Sequence, residues 1–234
     1  MTEEQTPGGS RVYHHHARTS DFEVAHGDEE TIAAVDRHIA QYLGEVSGVW
    51  HEIVSDLVHI DVHVVAPSAD HDFYSLVTSG MSDRPMTVPE DADVPEFAEL
   101  VVHLPVDWPL TQEAFQEERH YWPIRLLKVL GRLPHEYGTW LGHWHTIPNG
   151  DPPEPYADDT ALCAAMITPP VVTAAEFDEL ITPSGKRIAF YQVLPLHADE
   201  LALKLTEGTE ALLDRLNESE VDGVVDPARP SCVR

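Results

Sequence analysis

YWPIRLLKVLGRLPHEYGTWLGHWHTIPNG, residues 121–150, joins more core-forming surface to more groups able to bind something than any other stretch of the chain. Ile124, Leu127 and Leu130 recur on one helical face, and Leu126, Val129 and Leu133 widen that stripe. Pro123 suits a first helical turn, where its missing N–H costs nothing, and Pro134 is expected to end the helix. A tight aromatic segment follows, carrying His135, Glu136, Tyr137, Trp140, His143, Trp144 and His145. Pro148-Asn149-Gly150 closes it as a turn.

Upstream, Asp28 reads as an N-cap with Glu29 and Glu30 in the first turn, opening an amphipathic helix that ends near Gly44. Residues 57–65, LVHIDVHVV, alternate with period two. His59, Asp61 and His63 share one face, and Val58, Ile60, Val62 and Val64 the other, as in a half-buried strand. Further strands are predicted over 74–78, 97–104, 161–168 and 188–194, and short helices over 111–118 and from the Thr173-x-x-Glu176 capping box. The final helices start at His197-Ala198-Asp199-Glu200, and Val224-Val225-Asp226 suits an edge strand. Short loops between neighbouring strands favour antiparallel pairing. The expected fold is α+β: one domain over 28–234, a mixed, mostly antiparallel sheet with flanking helices, preceded by a flexible arm over 1–27 that carries His14-His15-His16.

Composition narrows the function. The chain has 41 acidic and 14 basic residues, net −27. A surface that negative repels phosphate backbones and suits a basic partner. Two distant cysteines form no disulfide framework, and no apolar run approaches the roughly 18 residues of a membrane span. The N-terminal stretch lacks the pattern of a signal peptide. These features together point to the cytoplasm.

No GxSxG, GxGxxG, P-loop, HExxH or paired CxxC occurs. The enzymatic alternative is a metal-dependent hydrolase built on His135, His143 and His145, because imidazoles so spaced suit zinc. His59, Asp61 and His63 with His103 form a second candidate cluster. With fifteen histidines, chance clustering and structural roles compete with both.

Several motifs resemble the Suppressor of fused family in its compact bacterial form. They are LVTSGMSDRPM (76–86), FAELVVHLP (97–105), residues 121–150 and IAFYQVLPLHADEL (188–201). VHIDVHVV (58–65) and Val225-Asp226 with Arg229-Pro230-Ser231 add to them, and together they run in order over residues 49–234. The resemblance implies a non-enzymatic protein-binding module without a cofactor. In animals the family restrains Hedgehog-pathway transcription factors by gripping a peptide between two domains, of which this chain resembles the first. Bacterial relatives are thought to act as immunity proteins against toxins. No catalytic residues transfer. Candidate partner-binding residues are Gly80, Met81, Ser82 and Asp83 in one bend, and Trp140, His143, Trp144 and His145 in the other.

Overall fold

A computed structural model describes residues 2–16, 18, 21–25, 27–52, 55–69 and 71–233. The chain opens with a hairpin of β1 (Thr2–Gln5) and β2 (Arg11–His14). Helix α1 (Glu29–Tyr42) starts as expected: the Asp28 carboxylate accepts the Glu30 N–H. Then come β3 (Val46–Trp50), β4 (Asp61–Val65), β5 (Phe73–Ser79) and β6 (Phe97–Pro105). The long helix α2 (Glu118–Tyr137) leads to β7 (Thr146–Pro148), β8 (Leu162–Thr168), β9 (Glu179–Ile181) and β10 (Arg187–His197). Helices α3 (Ala198–Glu207) and α4 (Thr209–Glu218) complete the order.

The main sheet runs β3-β4-β5-β6-β10-β8-β7, with β9 also paired to β10. Every pairing is antiparallel except β6 with β10, which aligns Phe97–Val101 beside Ile188–Gln192. Beyond that register, the predicted tail strand appears as a single parallel bridge from Val224 to His103. β6 is buried on both faces, and its alternation decides which helix each residue meets. Leu100, Val102 and Leu104 join Trp122, Leu127 and Leu130 of α2, while Val101 joins Val35 and Ile39 of α1. Each fully buried aliphatic side chain of this kind contributes about 1.5–3 kcal/mol. Helices α3 and α4 form a third cluster through Leu201, Leu212 and Leu216 against Ala164, Met166 and Leu196. No helix among the described residues is long and apolar enough to cross a membrane.

Helix α2 departs from the expectation at both ends. It starts five residues before Pro123 and continues through Pro134 to Tyr137, where Gly138 in the left-handed region stops it. A proline within a helix forfeits one backbone hydrogen bond. Here burial of Trp122, Ile124, Leu126, Leu127 and Leu130 outweighs that loss. The helices predicted over 111–118 and after Thr173 are short 3-10 turns at Ala114–Gln116 and Ala175–Asp178.

Residues 1–27 were expected to be a flexible arm. Their described part carries the hairpin, with Gly8 N–H donating to Leu205 O at 2.9 Å and Tyr13 edge-on to Trp140.

Candidate partner-binding surface

The bend after β5 is built around a buried carboxylate. Gly80 takes φ 103°, and a Cβ there would lie 1.8 Å from the His59 carbonyl oxygen, so the position needs glycine. The turn thereby aims its donors at Glu99 of β6, which is 0% exposed. Glu99 Oε1 accepts from Gly80 N–H and Ser82 N–H, both at 3.0 Å, and from Ser82 Oγ at 2.6 Å; Oε2 accepts from Thr78 Oγ1 at 2.6 Å. Burial pushes its pKa up, and these donors oppose the rise. Of the predicted bend, Gly80, Met81 and Ser82 are buried, Gly80 and Ser82 holding Glu99 while Met81 joins the apolar core, and Asp83 is half-buried. Burial and the neighbouring Glu99 push the Asp83 pKa up to about 6. Lys186 ties the bend to α1, donating to Ser82 O and to Thr31 Oγ1.

The second predicted segment lies against the sheet's other end. Trp144 takes φ 70°, its N–H donates to Ile167 O at 2.6 Å, and Ile167 N–H donates to His145 O at 2.8 Å. That pairing clips the segment to the end of β8. Trp140 is buried, with His145 edge-on at 5.4 Å; His143 is exposed and meets the Tyr191 ring edge at 5.0 Å. Burial lowers the pKa of His143 and of His145. The two segments are joined behind the surface, since Leu141 N–H meets Met86 Sδ and Thr87 N–H donates to Thr139 O.

The metal cluster considered for the enzymatic alternative does not assemble. Gly138 turns the chain between His135 and the other two, and His135 Nε2 lies 2.9 Å from Met81 O instead. Burial drops the His135 pKa to about 4. The second candidate cluster is dispersed too. His59 pairs with Asp61 at 3.1 Å, His63 Nε2 meets Ser79 Oγ at 2.7 Å, and His103 Nδ1 meets Ser75 Oγ at 3.0 Å. Among the described residues, no three His, Cys, Asp or Glu side chains are placed to hold a metal ion.

Two arrangements escaped the sequence reading. His63 Nδ1 also lies 3.0 Å from Asp36 Oδ1, so serine, histidine and aspartate stand in series, although the His63–Asp36 contact lacks hydrogen-bond geometry. Ser79 is 2% and His63 4% exposed, so a substrate has no access. The partners lie 16 and 27 positions from His63, and no local pattern announces them. The other is a concave surface of about 540 Å³ with Trp108, Pro105 and Pro109 beside Asp107, Asp159 and Asp226. Arg119 and His120 line it as well, so it presents both signs of charge. It forms where the start of α2 meets the segment after α4.

A sequence profile described as Suppressor of fused protein (SUFU) matches residues 56–230. The chain belongs to the Suppressor of fused family. A Suppressor of fused homologue from Neisseria gonorrhoeae superposes with a TM-score of 0.63 at 15% identity, over 88% of this chain and 96% of that one. A chain of a Sufu–Fu complex superposes at 0.60 and 15% identity, over 86% and 92%. Drosophila Suppressor of Fused superposes at 0.58 and 16% identity, and the match covers 87% of this chain but only 51% of the fly protein. No curated protein sequence matches the chain. At these identities the structural likeness concerns the fold, which is the single mixed-sheet α+β domain expected from the sequence.

Proposed function

We propose that this Suppressor of fused domain is a non-enzymatic, cytoplasmic protein-binding module that restrains or neutralises a basic protein partner, as an immunity or regulatory protein. Family membership carries the reading, and the fold shared with a chain described in a complex with another protein supports it. The net charge of −27 supports a basic partner over a nucleic acid, because complementary fields speed encounter and penalise wrong partners. The outward parts of the two predicted segments, Asp83 on one side and His143 with Trp144 on the other, are the proposed contact points, with Gly80, Met81 and Ser82 as the support beneath Asp83 and Trp140 and His145 as the support beneath the other.

Capture from native lysate with the 234-residue chain tests this, eluting by stepped salt. One dominant basic protein, released as screening rises, is the expected result. Absence of any stoichiometric protein at every salt step would count against the reading. A partner retained unchanged at high salt would remove its electrostatic part.

A further inference from the structure

Lys204 of α3 is the anomaly of the charge distribution. In a chain with 41 acidic residues it is 4% exposed, and among the described residues no carboxylate pairs with it. Its ammonium donates to Ser10 Oγ at 3.4 Å, using one of three available protons. Burial alone lowers its pKa. Buried cations are normally paired, and one matched only by a long neutral hydrogen bond is under-satisfied.

What covers Lys204 is the β1–β2 hairpin. Its tip is seated on the end of α3, where a Cβ on Gly8 would lie 2.5 Å from Gly208 N and 2.8 Å from Lys204 O. Three residues after Ser10, Tyr13 meets the Trp140 ring at 5.2 Å, and Trp140 in turn meets His145 at 5.4 Å. The hairpin thus touches Lys204 and Trp140 through two residues of one strand and its approach. Isolated two-stranded hairpins are marginal in water, so this one depends on those contacts.

We propose that the hairpin is a displaceable lid over an anion-binding site at Lys204, with Trp140 as the adjoining aromatic seat that Tyr13 now occupies. The ligand is a carboxylate carried on an extended peptide segment. Such a segment replaces the Ser10 hydroxyl with a carboxylate and offers Trp140 an apolar or aromatic side chain in place of Tyr13. Charge-assisted hydrogen bonds are shorter and roughly twice as strong as neutral ones, which gives the incoming segment its advantage over the hairpin. The inference rests on the protein-binding reading only for the natural source of that segment.

The test uses the full chain and Gly8→Val, whose side chain cannot fit against Gly208 and unseats the lid. Acylation of Lys204 by an amine-directed reagent, followed by peptide mass spectrometry, is expected to be at least about tenfold faster in the variant. Two synthetic peptides reproducing residues 2–16, one with Ser10→Asp, are then titrated into Gly8→Val by tryptophan fluorescence. The aspartate peptide is expected to bind about tenfold more tightly, and Lys204→Met added to Gly8→Val is expected to erase that preference. Equal labelling with and without the lid would overturn the lid, and equal peptide affinities would overturn the anion site. If Gly8→Val does not fold, Tyr13→Ala loosens the lid from its Trp140 side and takes the same two measurements. Peptides binding as expected while lysate capture fails would refute the partner reading alone; the reverse would refute the lid alone.

Discussion

Glu99 and Glu200 are both 0% exposed and both hold a loop in place, yet the chain treats them in opposite ways. Glu99 is surrounded by neutral donors from one bend. Glu200 faces a guanidinium: Arg229 donates Nη1–H to Oε1 and Nη2–H to Oε2, each at 2.6 Å, while the Cys232 and His197 amides complete the shell. Burial pushes both pKa values up. For Glu200 the Arg229 fork and the two amides outweigh burial and hold it at about 2, whereas for Glu99 burial prevails. A carboxylate can thus fasten backbone with or without a counter-ion, and the two solutions respond differently to pH. Glu200 contributes stability that is present above about pH 4.5 and is lost as pH falls toward 2. Glu99, raised in the folded state, costs stability as pH climbs past the ordinary glutamate value.

The largest effect is expected at the support of the neutral clamp. Gly80→Ala forces a Cβ onto the His59 carbonyl in a left-handed backbone and should cost more than about 4 kcal/mol. Urea denaturation showing a loss under 1 kcal/mol would mean that the bend relaxes and the clamp is loosely built.

Next comes the charged clamp itself. Arg229→Met leaves Glu200 buried without its counter-ion, and about 3–5 kcal/mol of stability should be lost. Ser82→Ala removes one neutral donor from Glu99 and should cost about 1–3 kcal/mol. Equal losses in the same titration would erase the distinction between the clamps.

The smallest effect is a gain. Asp83, beside Glu99 and with a pKa of about 6, is destabilising when ionised. Asp83→Asn should stabilise the chain by about 1 kcal/mol at pH 7.5, discounted for its partial exposure, and by nothing near pH 4. A gain that persists at pH 4 would place its origin in something other than charge.

Much of this was legible in the sequence because it is local. The Asp28 cap and the α2 stripe each sit within one element, whereas of the period-two stretch 57–65 only Asp61–Val65 is strand, and His63 on its expected open face is buried because α1 covers it. Gly80 between a strand and Asp83 also announced a bend, since few residues tolerate φ 103°. What could not be read is set by topology. Glu99 interrupts a mainly apolar strand, in which His103 is the other polar residue, but its donors come from 17 to 21 positions earlier and meet it only once β5 pairs with β6. The Glu200–Arg229 fork spans 29 positions, and Lys204 meets Ser10 across 194. The earlier start of α2 and its continuation through Pro134 failed to show for a related reason: the helix persists through burial against the sheet, a tertiary effect that overrides local preference.

The parallel seam between β6 and β10 has a consequence for birth on the ribosome. It joins residues 97–101 to residues 188–192, so a nascent chain carrying β3 to β6 presents an open strand edge until β10 has been made and has left the exit tunnel. The Arg229 fork closes later still, because Glu200 emerges 29 residues before its partner. During translation β6 is therefore an apolar edge in search of a neighbour, and chaperone capture or misassembly between chains should concentrate on that strand rather than on the helices.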